Sequence, residues 1–243
     1  MRRYRGNRKI NMKKIGVIFF GIFLLLGCKG NISPSMTSHE TGQMGLSYLA
    51  LGDSYTIGES VAEQERWPVQ LAAKLAENGV NVQNPRIIAR TGWTTDELQS
   101  AIQSATLAPK YDLVSLLIGV NNQYRGRSSE VYRNEFIQLL NKAIELAGNQ
   151  PKNVFVVSIP DWGVTPFAAG RDRAKIAQEI DLFNQINREE TLKKGILYFD
   201  ITLISRENVP TYIAPDGLHP SGSMYKAWVD TVIFPTLFLR LRP

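Results

Sequence analysis

The sequence predicts an α/β fold in which a central parallel sheet is covered by helices on both sides. Three observations carry this expectation. Short apolar runs rich in Val, Ile, Leu, Phe and Tyr lack the alternation of a half-exposed strand, so they read as strands buried on both faces. The longer segments between them repeat apolar residues at helical spacing. The two kinds of segment alternate along the chain, which is the pattern of parallel βαβ units.

The first strand is SYLAL, residues 47–51. The segment WPVQLAAKLAENG that follows starts with Pro68 in the first helical turn, where a missing N–H costs nothing, and closes on Gly79. The second strand lies in VQNPRIIA, residues 82–89, with Pro85 confining pairing to its later half. LVSLLIG, residues 113–119, is the third strand, and Tyr132, Phe136, Leu139, Leu140, Ala143 and Ala147 then recur on one helical face. NVFVVSI, residues 153–159, is the fourth, followed by a helical stripe of Ile176, Ile180, Phe183 and Ile186. ILYFD, residues 196–200, completes a five-stranded sheet. Ligands of such sheets collect beyond the carboxyl ends of the strands. Chemistry is therefore expected in Gly52-Asp53-Ser54, Gly92-Trp93, Gly119-Val120-Asn121-Asn122 and Asp161-Trp162.

With 243 residues, 44% hydrophobic and 21% charged, the chain suits one large domain. Its formal charge of +6 invites a nucleic-acid reading, but seven of the 28 Lys and Arg residues precede Cys28, where there is no Asp or Glu. What remains is 21 basic against 22 acidic residues, a net of −1, and no electrostatic footprint for nucleic acid survives. The basic start runs into the apolar stretch Ile15 to Gly27, which has the length of a signal-peptide core and is short for a membrane span. It ends in LLGC, Leu25 to Cys28, which resembles the lipobox of bacterial lipoproteins. The resemblance implies lipidation of Cys28, an anchor in a membrane and a cell-envelope location; an ordinary signal peptide or an uncleaved anchor is the competing reading. Met12 followed by two lysines offers an alternative start. Cys28 is the only cysteine, so no intramolecular disulfide and no cysteine metal site is expected. The division expected is a lipoprotein signal peptide over 1–27, a polar tether over 28–45 and a catalytic domain over 46–243. As a coil the tether reaches on the order of 20 to 25 Å.

A serine hydroxyl is a weak nucleophile unless a base, usually His, is held against it by an orienting carboxylate. Ser54 follows the first strand directly, and the chain has two histidines. His39 lies in the tether. His219 lies in APDGLHPSG, with Asp216 three residues before it and Gly217 to let the loop turn. Acyl transfer also needs donors aimed at the developing oxyanion; the backbone N–H of Ser54, that of Gly92, where a missing Cβ permits close approach, and the Asn121 side-chain amide are candidates. Each has a second reading: Asp53 and Ser54 as helix caps, Asp216 as a turn residue, Gly92 as a tight loop, Asn121 as an Asx turn.

GDSY, the lone glycine of RTGWTT, GVNN and DGLHP, in that order, resemble the four sequence blocks of the SGNH (GDSL-type) hydrolases. The resemblance spans about residues 46–228. It implies a three-layer α/β/α sandwich of flavodoxin-like type and a serine esterase: Ser54 as nucleophile, His219 as base, Asp216 as its orienting acid, and Ser54, Gly92 and Asn121 as the oxyanion hole. Two positions depart from the common pattern, Tyr55 after the serine and Asn122 where many members carry Asp.

Other chemistries find little support. Thr56 occupies the second glycine position of a G-x-S-x-G elbow, and there is no Walker A loop, G-x-G-x-x-G or H-E-x-x-H. No cofactor and no metal is expected. The substrate expected is a small-molecule ester of small-acyl or lysophospholipid type. An O-acetyltransferase or acetyl esterase acting on envelope or dietary polysaccharide, and a non-catalytic surface binder of the same fold, are the alternatives.

Overall fold

The computed structural model of the protein describes residues 45–242. The signal peptide expected over 1–27, the expected lipidation of Cys28 and all but the last residue of the tether expected over 28–45 lie outside the described residues. No helix among the described residues is long and apolar enough to cross a membrane.

In chain order the elements are β1 (Tyr48–Gly52), α1 (Ser54–Ile57), α2 (Trp67–Glu77), β2 (Arg86–Ala89), α3 (Thr95–Ser104), β3 (Leu113–Leu117), α4 (Val120–Tyr124), α5 (Ser129–Leu146), β4 (Val154–Val157), α6 (Arg173–Lys193), β5 (Leu197–Phe199), α7 (Thr202–Ser205), α8 (Gly222–Ala227) and α9 (Phe234–Leu241). The five strands form one parallel sheet in the order β2-β1-β3-β4-β5. This is the helix-flanked five-stranded parallel sheet that the sequence predicts. The three inner strands are buried at every residue, while the edge strands β2 and β5 are partly exposed. Unbroken apolar runs therefore mark the middle of the sheet, because helices cover both of its faces there.

One group of helices packs as α3 against α5 and α5 against α6; a second packs α2 against α8 and α9. Local chemistry sets their starts. Pro68 stands in the first turn of α2, Ser128 caps α5 by accepting from Val131 N–H at 3.3 Å, and Asp172 caps α6 by accepting from Lys175 N–H at 3.0 Å. A π-helical turn, Trp228–Ile233, joins α8 to α9 and opens the helix just ahead of Pro235, which has no N–H to give. Pro85 delays β2 to Arg86, as its missing donor requires.

The strand order decides where a ligand can sit. From β1 the chain goes out to β2 on one side and returns to β3 on the other, so a crevice opens at the carboxyl end of β1. The register pairs Gly52 at the end of β1 with Ala89 and with Leu117, which brings the loops after β1, β2 and β3 side by side.

Candidate active site

At the end of β1, Asp53 is fully buried and caps the single turn of α1, its Oδ1 accepting the N–H of Tyr55 at 3.1 Å. Its Oδ2 is buried without a hydrogen-bond partner among the described residues. Burial pushes the Asp53 carboxyl up to about 7, a rise that the Tyr55 N–H only partly opposes. Ser54, the first residue of α1, is 5% exposed, and its Oγ makes no hydrogen bond among the described residues. The capping role thus falls to Asp53, which leaves the Ser54 hydroxyl uncommitted.

The second loop precedes α8. Asp216 Oδ1 accepts the backbone N–H of Leu218 at 2.9 Å and of His219 at 3.0 Å, while Oδ2 lies 2.7 Å from His219 Nδ1 and accepts the hydroxyl of Ser60 at 2.6 Å. One carboxylate therefore closes the turn and holds the ring, so the two readings of Asp216 are both realised. Burial works against its ionisation, yet the bonds from Ser60, from His219 and from the two backbone N–H groups outweigh that and hold the carboxyl well below the usual carboxylate range. A carboxylate on Nδ1 selects the Nδ1–H tautomer and leaves Nε2 as the basic nitrogen. The His219 ring is 7% exposed at the residue level and meets Tyr55 edge-on at 5.7 Å between ring centres.

The third wall comes from the loops after β2 and β3. Gly92 adopts φ +86°, and a Cβ added there would touch only Arg125, at an ordinary 3.7 Å. Glycine is needed for the backbone conformation, and the space beside it is open. Arg125 Nη2 donates to Gly92 O at 2.6 Å, and the Asn121 side-chain amide donates to Trp93 O at 3.0 Å, so both fasten this loop to α4. Asn122 is fully buried; its Oδ1 accepts the N–H of Thr95 at 3.1 Å and its Nδ2 donates to Thr95 Oγ1 at 2.6 Å. The amide supplies both an acceptor and a donor here, which an ionised carboxylate does not.

Ser54, Gly92, Asn121 and His219 line one cleft of about 160 Å³. Thr91 adds a further polar group, and Val120, Leu218 and a cluster of Tyr124, Trp162 and Phe167 make the apolar wall. The aromatic rings pack on one another at 5.3 to 6.2 Å, and the Arg171 guanidinium lies 5.3 to 5.6 Å from all three. Trp162 is fixed by its Nε1 donating to Gln123 at 2.8 Å. Trp93 faces a different hollow, beside α3. Asp161, expected among the strand-end residues, is buried in an ion pair with Arg206 at 2.9 Å and caps the turn that carries Trp162. His39 lies outside the described residues. Among the described residues no group of three or more His, Cys, Asp or Glu is placed to hold a metal ion.

Several of these residues carry no signal that the sequence reading used. Phe167 comes from a short 3₁₀ turn, Pro166–Ala168, in a stretch without periodicity. Ser60 sits in a polar turn and meets Asp216 from 156 positions away. Chemically, the cleft offers a free hydroxyl, an imidazole with its outer nitrogen open and amide donors at one rim, beside an apolar pocket. That set suits attack on a carbonyl carbon.

Residues 50–227 match the family described as GDSL-like Lipase/Acylhydrolase family. No curated protein matches the chain by sequence. Among solved structures, TesA superposes with a TM-score of 0.62 at 19% identity, covering 80% of this chain and 99% of its own. A lipase/acylhydrolase from Enterococcus faecalis gives 0.63 at 19% identity over 82% and 98%. An acetyl-xylooligosaccharide esterase from Geobacillus gives 0.59 at 18% identity over 81% and 94%. At these identities the likeness to solved structures establishes the fold.

Proposed function

The chain belongs to the GDSL-like lipase/acylhydrolase family, and on that premise we propose that it hydrolyses carboxylic esters through an acyl-enzyme formed on Ser54. The observation that carries the proposal is the 2.7 Å contact between Asp216 Oδ2 and His219 Nδ1, in a cleft that Ser54, Gly92 and Asn121 share.

In this mechanism the Ser54 hydroxyl attacks the ester carbonyl while His219 Nε2 takes its proton. Asp216 keeps the imidazole in the required tautomer and stabilises its cationic form. The backbone N–H groups of Ser54 and Gly92 and the Asn121 amide receive the oxyanion. His219 then protonates the departing alcohol, and a water molecule, deprotonated by the same imidazole, releases the acid. Ser54 Oγ is free of other bonds and turns onto Nε2 in the substrate complex, where catalytic hydrogen bonds tighten.

Two features favour a short acyl chain. The cleft, at about 160 Å³, is small beside the roughly 300–1,000 Å³ of pockets that take drug-sized ligands, which suits a small acyl group. Its apolar wall is three rings packed on one another, Tyr124, Trp162 and Phe167, a compact surface for a small acyl group. The acetyl-ester specificity in the name of the Geobacillus relative is in keeping with this reading. Hydrolysis of p-nitrophenyl acetate, butyrate and octanoate by the full-length protein tests it. Activity that falls with chain length supports a short-acyl esterase; activity on none of them counts against hydrolysis.

The proposal extends to location. Lipidation at Cys28 after removal of residues 1–27 makes the enzyme a membrane-tethered one, with residues 28–45 as the tether and 46–243 as the catalytic domain. Partition of the wild type into detergent, with Cys28→Ser recovered as soluble protein or uncleaved precursor, is the expected result. Equal partition of the two removes the anchor from the account.

A further inference from the structure

Ser60 is one of two residues other than glycine with positive φ among the described residues, at +63°. Side chains avoid this conformation, and where it persists outside glycine the surrounding structure holds it for a reason. Here the reason is visible. The strap Gly58-Glu59-Ser60, immediately after α1, ties the Ser54 turn to both other walls of the cleft. The Glu59 carboxylate accepts the hydroxyl of Thr91, next to Gly92, and the Ser60 hydroxyl donates to Asp216 Oδ2 at 2.6 Å.

Oδ2 is the same oxygen that holds His219 Nδ1 at 2.7 Å. Oδ1 is already occupied by two backbone N–H groups, so Ser60 and His219 share the remaining acceptor. Two donors on one oxygen divide its charge, and each is held less strongly than it would be alone. Both Ser60 and its bond to Asp216 are exposed, and the Asp216 side chain is 29% exposed. The other titratable groups acting on this corner are Tyr55, which packs on the imidazole, and Tyr225, Asp53, Asp161 and Glu59. None of them donates to Oδ2.

We propose that Ser60 is a positioning residue for the reaction: its hydroxyl, donated to Asp216 Oδ2, sets how strongly that oxygen holds the N–H of the His219 ring. The catalytic part of this inference rests on the esterase mechanism above; the coupling of Ser60 to the His219 ring does not.

The test compares full-length wild type with Ser60→Ala and Ser60→Gly, which remove the donor with and without the positive-φ strain, and with Ser60→Asn, whose amide restores a donor on a residue that accepts positive φ. Melting curves establish that all are folded. The first readout is the proton resonance of His219 Nδ1–H. It moves downfield in Ser60→Ala and Ser60→Gly, because Oδ2 then serves the ring alone, and returns toward the wild-type position in Ser60→Asn. The second is the pH profile of kcat/KM, whose acid limb moves to higher pH by about half a unit in the first two variants. Ser60 is outside the cleft, so KM stays within about twofold and the effect is read in kcat.

An unmoved resonance in both Ser60→Ala and Ser60→Gly overturns the proposal, because water then replaces the hydroxyl without consequence. A moved resonance with a moved acid limb supports it. A moved resonance with an unmoved limb overturns its catalytic part. Ser54→Ala, assayed alongside, reports separately on the esterase mechanism: retained hydrolysis there contradicts that mechanism and leaves the resonance result to decide the Ser60–Asp216 coupling.

Discussion

Asp216 holds His219 twice, accepting its backbone N–H on one oxygen at 3.0 Å and meeting its ring Nδ1 with the other at 2.7 Å. The turn and the ring orientation are therefore one structure. Asp216→Asn disturbs both, because an amide presents a donor to one of the two sites and no longer selects the Nδ1–H tautomer. We expect kcat for p-nitrophenyl acetate to fall by about a hundred- to ten-thousandfold with a folded protein. A fall below about tenfold removes Asp216 from the mechanism.

Asn122 faces Thr95 with both ends of its amide and lies 3.4 Å from the Glu135 carboxylate. Asn122→Asp keeps the acceptor, loses the donor and sets a second carboxylate beside Glu135, with Arg127 at 3.6 Å as the neighbouring cation. The variant is expected to lose about 1–3 kcal/mol in urea unfolding at pH 8, and less at pH 5, where the new carboxyl takes up a proton more readily. A variant as stable as the wild type at both values contradicts the assignment.

Asp53 makes the opposite case. Its carboxyl is pushed up to about 7 by burial, from an ordinary value near 3.8. Between those values the folded protein holds a proton that the unfolded chain has lost, so stability declines as pH rises from about 4 to about 7 and then levels. Asp53→Asn has no such decline. It is expected to gain on the wild type by about 1–3 kcal/mol between pH 5 and pH 8. Paired urea titrations at the two values check this; parallel pH dependence of the two proteins refutes it.

The strands and the two long helices were legible because physics acts on them locally. Val154 to Val157 and Leu113 to Leu117 are buried at every residue, and apolar runs interrupted only by Ser115 read as inner strands. Pro85 marked where β2 could begin. At the site, the residues of the four quoted blocks converge on one cleft, since strand ends of a parallel sheet meet at the point where strand order reverses. What escaped is what depends on distant partners. Ser60 looks like any serine of a polar turn until Asp216 is placed beside it, and Phe167 has no periodicity to show that it joins Tyr124 and Trp162. Gly92 lines the cleft, and its φ of +86° adds a backbone reason for glycine that the sequence does not display. The direct bond from Ser54 to His219 that the mechanism requires is not formed among the described residues.

That missing bond directs the decisive measurement toward Ser54 itself. The full-length protein is treated with an alkyl fluorophosphonate, which phosphonylates an activated serine with loss of fluoride, and the modified residue is mapped by peptide mass spectrometry. The account predicts one adduct, on Ser54, formed with loss of ester hydrolysis and slowed at least about a thousandfold in His219→Ala. An adduct on another residue, or full hydrolysis by protein whose Ser54 is quantitatively blocked, contradicts it.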